Sequence, residues 1–211
     1  ILSKLPSLED GDAVVETVEV NEGDWVVDDN GDMTQLSPGS VVRPAGCRSG
    51  ECAVPYAGGT LSLERMSVTF TLLDWLTWSD GQPLTAADSV YSYSLAVHPD
   101  TVYGVNGLVS QSLRSVMYTA EYVALDDQTV RWRGLPGFLD PDYRADFFIP
   151  LPEHQLSQYT AFDLSTFVEA VNRAPLGWGA YVITDWQPGQ EIVLARNPYY
   201  FRAGEGLPYF D

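Results

Sequence analysis

The chain of 211 residues carries 29 aspartates and glutamates against 11 lysines and arginines, a formal net charge of −18, while 45% of its residues are hydrophobic. This composition supports a buried core in one large domain or two small ones. The negative charge repels phosphate backbones, so we expect no nucleic-acid partner. No run of about 18 apolar residues occurs, so the sequence predicts no transmembrane helix.

The first 66 residues are acidic and rich in turns. From Val14 to Pro44, short β segments alternate with Gly, Asn, Asp and Pro, which predicts a series of hairpins. The acidic residues that crowd this part are typical of a solvated strand face with acidic turns. The stretch "DDNGD" lacks the glutamate that a calcium loop needs at its twelfth position, so we interpret it as a turn. The sequence predicts that residues 1–66 form a hairpin-rich unit in one compact body with residues 67–211.

Cys47 and Cys52 are the two cysteines of the chain, five positions apart in "CRSGEC". The turn-like insert between them lets the two side chains meet, which favours a disulfide. Free thiols are the next alternative. Zinc would need His98, His154 or carboxylates at no recognisable spacing, so we expect no metal site and no cofactor. A disulfide favours an oxidising, extracytoplasmic compartment.

Four later segments have the alternation or turn chemistry of β-strands. Ser67 to Leu73 places Val68, Phe70 and Leu72 on one face, and Thr129 to Arg133 does the same with Val130 and Trp132. Two more strands are predicted at Tyr181 to Thr184 and Ile192 to Ala195, joined by a type II turn at Pro188-Gly189.

Three helices are predicted, the first beginning at Thr85. This residue stands at an N-cap position and Asp88 follows three residues later, which is the capping-box pattern. The others cover Val109 to Met117 and Ser165 to Val171, the last stopped by Pro175. Strands and helices follow one another irregularly, so we predict an α+β fold in one compact body, with an antiparallel or mixed sheet.

Catalytic motifs are scarce in the sequence, and we expect no enzymatic activity. With only two histidines in the chain, we interpret His154 as a loop-ordering or exposed side chain. The acid pairs Asp126-Asp127 and Asp140 with Asp142 could serve glycoside hydrolysis, but both have the surroundings of turns. Trp178 lies between two glycines, which give its ring room to project.

Four motifs occur in an order that resembles one protein family. The stretch "VTFTLLDWLTWSDGQPLTAADSVYSY" contains a strand, a Trp-Ser-Asp-Gly turn and a helix start, and "GAYVITDWQPGQEIVLARNPYYF" lies far downstream. Between them are "VALDDQTVRW" and "FIPLPEHQL". From Val68 to Asp211 the chain is similar to the family 5 extracellular solute-binding proteins, the peptide-binding subunits of ABC importers. The first 66 residues match no motif of that family.

The resemblance implies a lobe of a periplasmic-binding-protein-like fold that closes on a ligand with a second lobe. "GLPYFD" would then be the crossing into that second lobe, and the chain would be a fragment without it. Tyr103 resembles a tyrosine that faces the ligand cleft in some members. Trp178, Phe201 and Ser89 depart from the family pattern, with Trp178 where a small polar residue is common.

We therefore expect the substrate-binding component of an ABC transporter, capturing oligopeptides or a similar solute outside the membrane for a permease. Tyr103 and Trp178 are the candidate ligand contacts. The protein would be periplasmic or on the cell surface, with a lipid anchor through a removed N-terminus as one mode of attachment. The alternative is a secreted carbohydrate-active enzyme or sugar-binding module that uses the tryptophans and paired acids.

Overall fold

The computed structural model describes residues 1–99, 113–166 and 168–210. The strands are β1 (Ala13–Val20), β2 (Trp25–Val27), β3 (Met33–Gln35), β4 (Val41–Val42), β5 (Val54–Pro55), β6 (Leu61–Thr71), β7 (Thr119–Ala124), β8 (Thr129–Gly134), β9 (Tyr181–Gln187) and β10 (Glu191–Arg196). The α-helices are α1 (Ala86–Ala96), α2 (Leu113–Met117), α3 (Glu153–Leu156), α4 (Ala161–Leu164) and α5 (Glu169–Asn172). Among these described helices, none is long and apolar enough to cross a membrane.

An antiparallel sheet in the order β1-β6-β8-β7 forms the centre of the fold. The predicted alternation is confirmed, because Val68, Phe70 and Leu72 are buried, as are Val130 and Trp132. Strand β6 begins six residues earlier than Ser67, at Leu61, and its residues from Leu61 to Val68 pair with β1. The α+β class is confirmed, and all pairings in this sheet are antiparallel.

The opposite face of the central sheet carries a ladder of ion pairs across all four strands. Glu16 on β1 contacts Arg65 on β6 at 3.0 Å and Arg133 on β8 at 3.5 Å. Glu121 on β7 in turn contacts Arg133 at 2.8 Å and Arg131 at 3.2 Å. Burial acts to raise the pKa of Glu16, but its arginine neighbours outweigh that effect and the pKa lies below its ordinary value. The ladder lets a polar sheet face form without isolated charges.

Helix α1 packs on the apolar face of the sheet. Its Tyr93 ring lies 5.3 Å from Tyr122 and 5.1 Å from Phe148, centre to centre. Ser89, which departs from the family pattern, is fully buried and bonds to the Tyr122 hydroxyl at 2.7 Å and to the Phe148 carbonyl. The polar side chain is therefore accommodated by hydrogen-bond partners inside the core.

One helix prediction needs correction. In the segment predicted as one helix from Ser165 to Val171, Ser165 caps the end of α4, residue 167 lies outside the described residues, and α5 begins only at Glu169. The Thr160 capping box with Asp163 starts α4 earlier, and the Ser165 hydroxyl bonds to the Phe162 carbonyl where that helix ends. Of the helix predicted from Val109 to Met117, residues 109–112 lie outside the described residues, and the rest is α2.

The N-terminal part contains the predicted hairpins, with β2 paired to β3 and β4 to β5. A second core fills it, formed by Val20, Val26, Leu36, Val42, Tyr56 and Leu63. The Cys47–Cys52 disulfide is present, with the two Cα atoms 5.7 Å apart. Strand β6 runs across position 66, the predicted boundary of the hairpin-rich unit, and that boundary stays a prediction.

Strands β9 and β10 form a separate hairpin near the C-terminus. The type II turn is confirmed, because Gly189 has φ +76° and the Gln190 amide donates to the Gln187 carbonyl at 3.0 Å. Apolar side chains stay exposed on β10 and beyond it, namely Ile192, Val193, Leu194, Tyr209 and Phe210. This hairpin and the segment after it thus present apolar surface to solvent.

Candidate functional site

The signature turn is the segment from Trp78 to Gly81. The Gly81 amide donates to the Trp78 carbonyl at 2.9 Å, and the Trp78 amide donates to the Gln82 carbonyl at 2.8 Å. Gly81 has φ +91°, a left-handed backbone conformation that residues with a Cβ rarely adopt. The predicted Asp-Gly turn is therefore confirmed, and it holds the fully buried Trp78 ring against the core.

Asp88 joins the signature turn to two helices. Its carboxylate accepts from the Thr85 amide at 2.9 Å and from the Trp78 indole nitrogen at 3.1 Å. It also accepts from the Glu153 amide at 3.1 Å, at the start of α3. The predicted capping box is confirmed, and the same carboxylate, which is almost fully buried, fixes the turn and the following loop.

His154 and Asp80 form a half-exposed pair beside the turn, with Nε2 and Oδ2 2.8 Å apart. Burial acts to raise the pKa of Asp80, but the Gln82 amide and His154 outweigh it and the pKa lies below its ordinary value. The contact joins His154, on α3, to the signature turn.

Trp178 lies at the signature turn too. The Ser79 amide donates to the Gly177 carbonyl at 2.8 Å, and the Gly177 amide donates to the Ser79 hydroxyl at 3.3 Å. The half-buried Trp178 ring then meets Trp78 edge to face, with centres 5.3 Å apart. Tyr103, the other candidate contact, lies outside the described residues. The ligand role of both stays a prediction.

The "ARNPYY" segment closes the cluster. The buried Asn197 donates from its side chain to the Gly179 carbonyl at 2.8 Å and accepts from the Tyr199 amide at 2.9 Å. The Tyr199 ring then packs on Gly81, where an added Cβ would lie 3.0 Å from Cζ. We call Trp78, Asp80, Gly81, Asp88, His154, Trp178, Asn197 and Tyr199 the signature cluster.

The sequence identified the motifs of the signature cluster but missed how they meet. Only the turn residues and the helix cap had local signals, whereas the Asn197 and Tyr199 contacts depend on how distant segments pack. Three of the four motifs that carried the family resemblance converge here, through the turn, "FIPLPEHQL" and the C-terminal stretch.

The chemistry of the cluster is that of a scaffold. The Asp88 oxygens are occupied by three donors, and Asp80 binds His154 and the Gln82 amide. The acids considered for glycoside hydrolysis lie in turns: Asp126 accepts from the Gln128 amide at 2.8 Å and Asp140 from the Asp142 amide at 2.7 Å. Within the described ranges, no group of three or more His, Cys, Asp or Glu side chains could hold a metal ion.

Relatives of the chain are named as binding proteins. The oligopeptide-binding protein AppA of Bacillus subtilis is 31% identical over 135 residues, which is 63% of this chain and 22% of that protein. A periplasmic alpha-galactoside-binding protein of Rhizobium meliloti is 29% identical over 157 residues, 68% of this chain and 22% of that protein. The chain therefore spans about a fifth of the length of these relatives.

The fold also matches solved structures. The structure of AppA from Bacillus subtilis in complex with a nonapeptide superposes with a TM-score of 0.53 at 19% identity, covering 86% of this chain and 31% of that one. The lobe is therefore periplasmic-binding-protein-like, as predicted. The profile described as "Bacterial extracellular solute-binding proteins, family 5 Middle" matches residues 57–211. The chain belongs to the family 5 extracellular solute-binding proteins.

Proposed function

We propose that the full-length protein is the substrate-binding component of an ABC importer, which captures an oligopeptide or a similar solute and delivers it to a permease. The observation that carries the proposal is the family match over residues 57–211, with three of its motifs joined in the signature cluster. The cluster's acids are occupied by hydrogen bonds, which suits binding and not bond cleavage.

Two classes of solute are compatible with the relatives. AppA is named for oligopeptides, and the Rhizobium meliloti relative is named for alpha-galactosides. Both classes can be bound by aromatic rings, which offer a large apolar face. We favour the oligopeptide, and we assign Trp178 and Tyr103 as ligand contacts.

The mechanism we propose is closure of two lobes around the solute. The solute would bridge both lobes and shift the population towards the closed form. The exposed apolar side chains of β10, together with Tyr209 and Phe210, support a second lobe that meets this surface. On this proposal the present chain carries part of one lobe.

The compartment of the protein is outside the cytoplasmic membrane in this proposal. The Cys47–Cys52 disulfide supports it, since such bonds persist in oxidising compartments. A relative named as periplasmic agrees with this placement. Attachment by a lipid would be seen as incorporation of a labelled fatty acid into the mature protein.

Titration calorimetry tests the proposal on the full-length protein and on residues 1–211 alone, with a mixed nonapeptide pool and the alpha-galactoside raffinose as probes. We expect the full-length protein to bind the peptides and the isolated chain to bind them weakly or not at all, because half of the cleft would be missing. Submicromolar peptide binding by residues 1–211 alone would contradict lobe closure. Binding of raffinose but not of peptides would show that the solute is an alpha-galactoside and not an oligopeptide.

The Trp178→Ala variant tests the assigned contact in the full-length protein. We expect the dissociation constant for the peptide to rise about tenfold, as loss of a central aromatic anchor often causes. Trp25→Ala is the matched control, because Trp25 is half-exposed and belongs to β2. Thermal unfolding of both variants separates a binding defect from unfolding. An unchanged affinity in Trp178→Ala would remove Trp178 from the site.

A further inference from the structure

A groove whose lining shares no residue with the signature cluster is centred on Arg114. Two cavities, with volumes of about 450 Å³ and about 550 Å³, are both lined by this residue. One half of the groove is polar and the other half is apolar. We call the two together the Arg114 groove.

The Arg114 side chain is held in place by aromatic rings. Its guanidinium carbon lies 5.3 Å from the centre of the Tyr118 ring and 5.2 Å from that of Phe138. The two rings meet edge to face at 4.9 Å, and the Tyr118 hydroxyl donates to the Gly31 carbonyl at 2.6 Å. Stacking on ring faces leaves the N–H groups of the guanidinium edge available to a ligand.

The polar half of the groove has its other arginines committed to acids. Arg43 contacts Asp29 at 2.6 Å, and Arg48 is paired with Glu64. The remaining acid, Asp28, accepts with Oδ1 from two amides of its own turn. For Arg114, no carboxylate among the residues the structure describes lies within ion-pair distance. Arg114 is therefore the cation in this lining that is left to meet an anion.

The mainly apolar half extends from Arg114 over Met33, Leu113, Met117 and Tyr118, and Asp32 also lines it. Leu113 and Met117 are 52% and 43% exposed, so this surface has no cover in the described part of the chain. Unbranched methionine side chains adapt to ligands of irregular shape. A guanidinium next to such a surface is complementary to a carboxylate that carries an apolar chain.

We propose that the Arg114 groove binds a small amphipathic carboxylate, with the carboxylate on Arg114 and the apolar chain along Met33 and Met117. This site is separate from the solute cleft of the proposed function. Its ligand is an anion although the whole chain is negative, because Asp29 and Glu64 are paired with Arg43 and Arg48, whereas Arg114 has no acid within ion-pair distance among the described residues. Salt screens the charges that lie farther than about 8 Å away.

Calorimetry on the full-length protein with decanoate, decanol and decylammonium as probes tests the site. We expect decanoate to bind, to weaken as salt is raised, and to bind about tenfold or more tightly than decylammonium. In Arg114→Ala the affinity for decanoate should fall about tenfold while decanol is unaffected. In Met117→Glu both should be lost, because a charge enters the apolar half.

Arg202→Ala is the matched control, since it also removes one exposed positive charge but lies next to Glu205, away from the groove. It should leave decanoate binding unchanged, and thermal unfolding should show all three variants folded. Equal affinity for decanoate and decanol, no binding of decanoate, or an unchanged affinity in Arg114→Ala would overturn the proposal. None of these outcomes bears on peptide binding, so the solute-binding proposal stands or falls separately.

Discussion

At the scale of single residues, two buried carboxylates have opposite situations. The Asp88 carboxylate accepts hydrogen bonds from three donors, which join the signature turn to the starts of α1 and α3. Asp146 is 1% exposed, and its Oδ2 has no hydrogen-bond partner within the described part of the molecule. Burial and, to a smaller extent, the charge of Asp140 raise the pKa of Asp146 to about 7. A hydrogen bond with Ser115 acts in the opposite direction but does not outweigh them. The sequence alone showed the cap at Asp88 but not the burial of Asp146.

Replacing Asp88 by alanine should lower the free energy of unfolding by about 3 kcal/mol or more, because the buried Trp78 indole and two partly buried backbone amides lose their acceptor. The matched control is Asp163→Ala, which removes the capping-box carboxylate of α4 at an exposed position. Denaturant unfolding should show a clearly smaller loss for the control. Equal losses in the two variants would mean that Asp88 acts as a helix cap alone.

Asp146→Asn should change how stability depends on pH. The unfolded carboxyl titrates near 3.8 while the folded one titrates near 7, so the folded state holds a proton that the unfolded state has lost. Stability of the native protein should therefore fall as pH rises from about 4 to about 7 and then level off. The asparagine variant should lack this fall. Its free energy of unfolding, compared with that of the native protein, should therefore be more favourable at pH 8 than at pH 5 by on the order of 2 kcal/mol. Parallel profiles in both proteins would contradict a raised pKa.

At the scale of elements, close contacts hold separate segments in one arrangement. Gly81 lies under the Tyr199 ring, which brings the end of the β9–β10 hairpin onto the signature turn. Gly189, in the hairpin's own turn, also has a positive φ but has nothing within 4 Å of an added Cβ. Substitution of Gly189 therefore measures the backbone strain alone, whereas substitution of Gly81 measures the strain and the contact with Tyr199 together.

Gly81→Ala should destabilise the protein by about 1 kcal/mol more than Gly189→Ala. Both changes strain a left-handed backbone, but the first also pushes Tyr199 from its place. Denaturant unfolding of the two variants and of Gly81→Ala combined with Tyr199→Ala measures the contact. If Tyr199→Ala fails to relieve the extra loss, the ring is not its cause.

At the scale of the whole molecule, the apolar hairpin surface has no cover in the described residues. Ile192 and Leu194 on β10 are 50% and 51% exposed, and Phe210 is 79% exposed. In contrast, β6 and β8 are buried in the central sheet. A surface of this kind fits the two-lobe protein that we propose.

Amide hydrogen exchange should be slower in β9 and β10 of the full-length protein than in residues 1–211 alone, because a second lobe would cover this hairpin. The amides of β6 and β8 serve as the internal control and should exchange alike in both. Equal exchange in the hairpin would place the second lobe elsewhere.

Much of this protein followed from local patterns in its sequence. Alternation in β6 and β8, the type II turn at Gly189, the capping box and the disulfide each depend on residues close together along the chain, whose backbone angles and spacing restrict the options. Helix boundaries near Ser165 were wrong because side-chain hydroxyls compete for the carbonyls that would continue a helix.

The tertiary structure alone decided which distant groups meet. Ser79 and Gly177 are 98 positions apart, and Asp80 and His154 are 74 apart, so no periodicity could bring them together. The same is true of the burial of Asp146 and of the stacking that presents Arg114. These features depend on the order of strands in the sheet and on how loops pack over it, which local preferences leave undetermined.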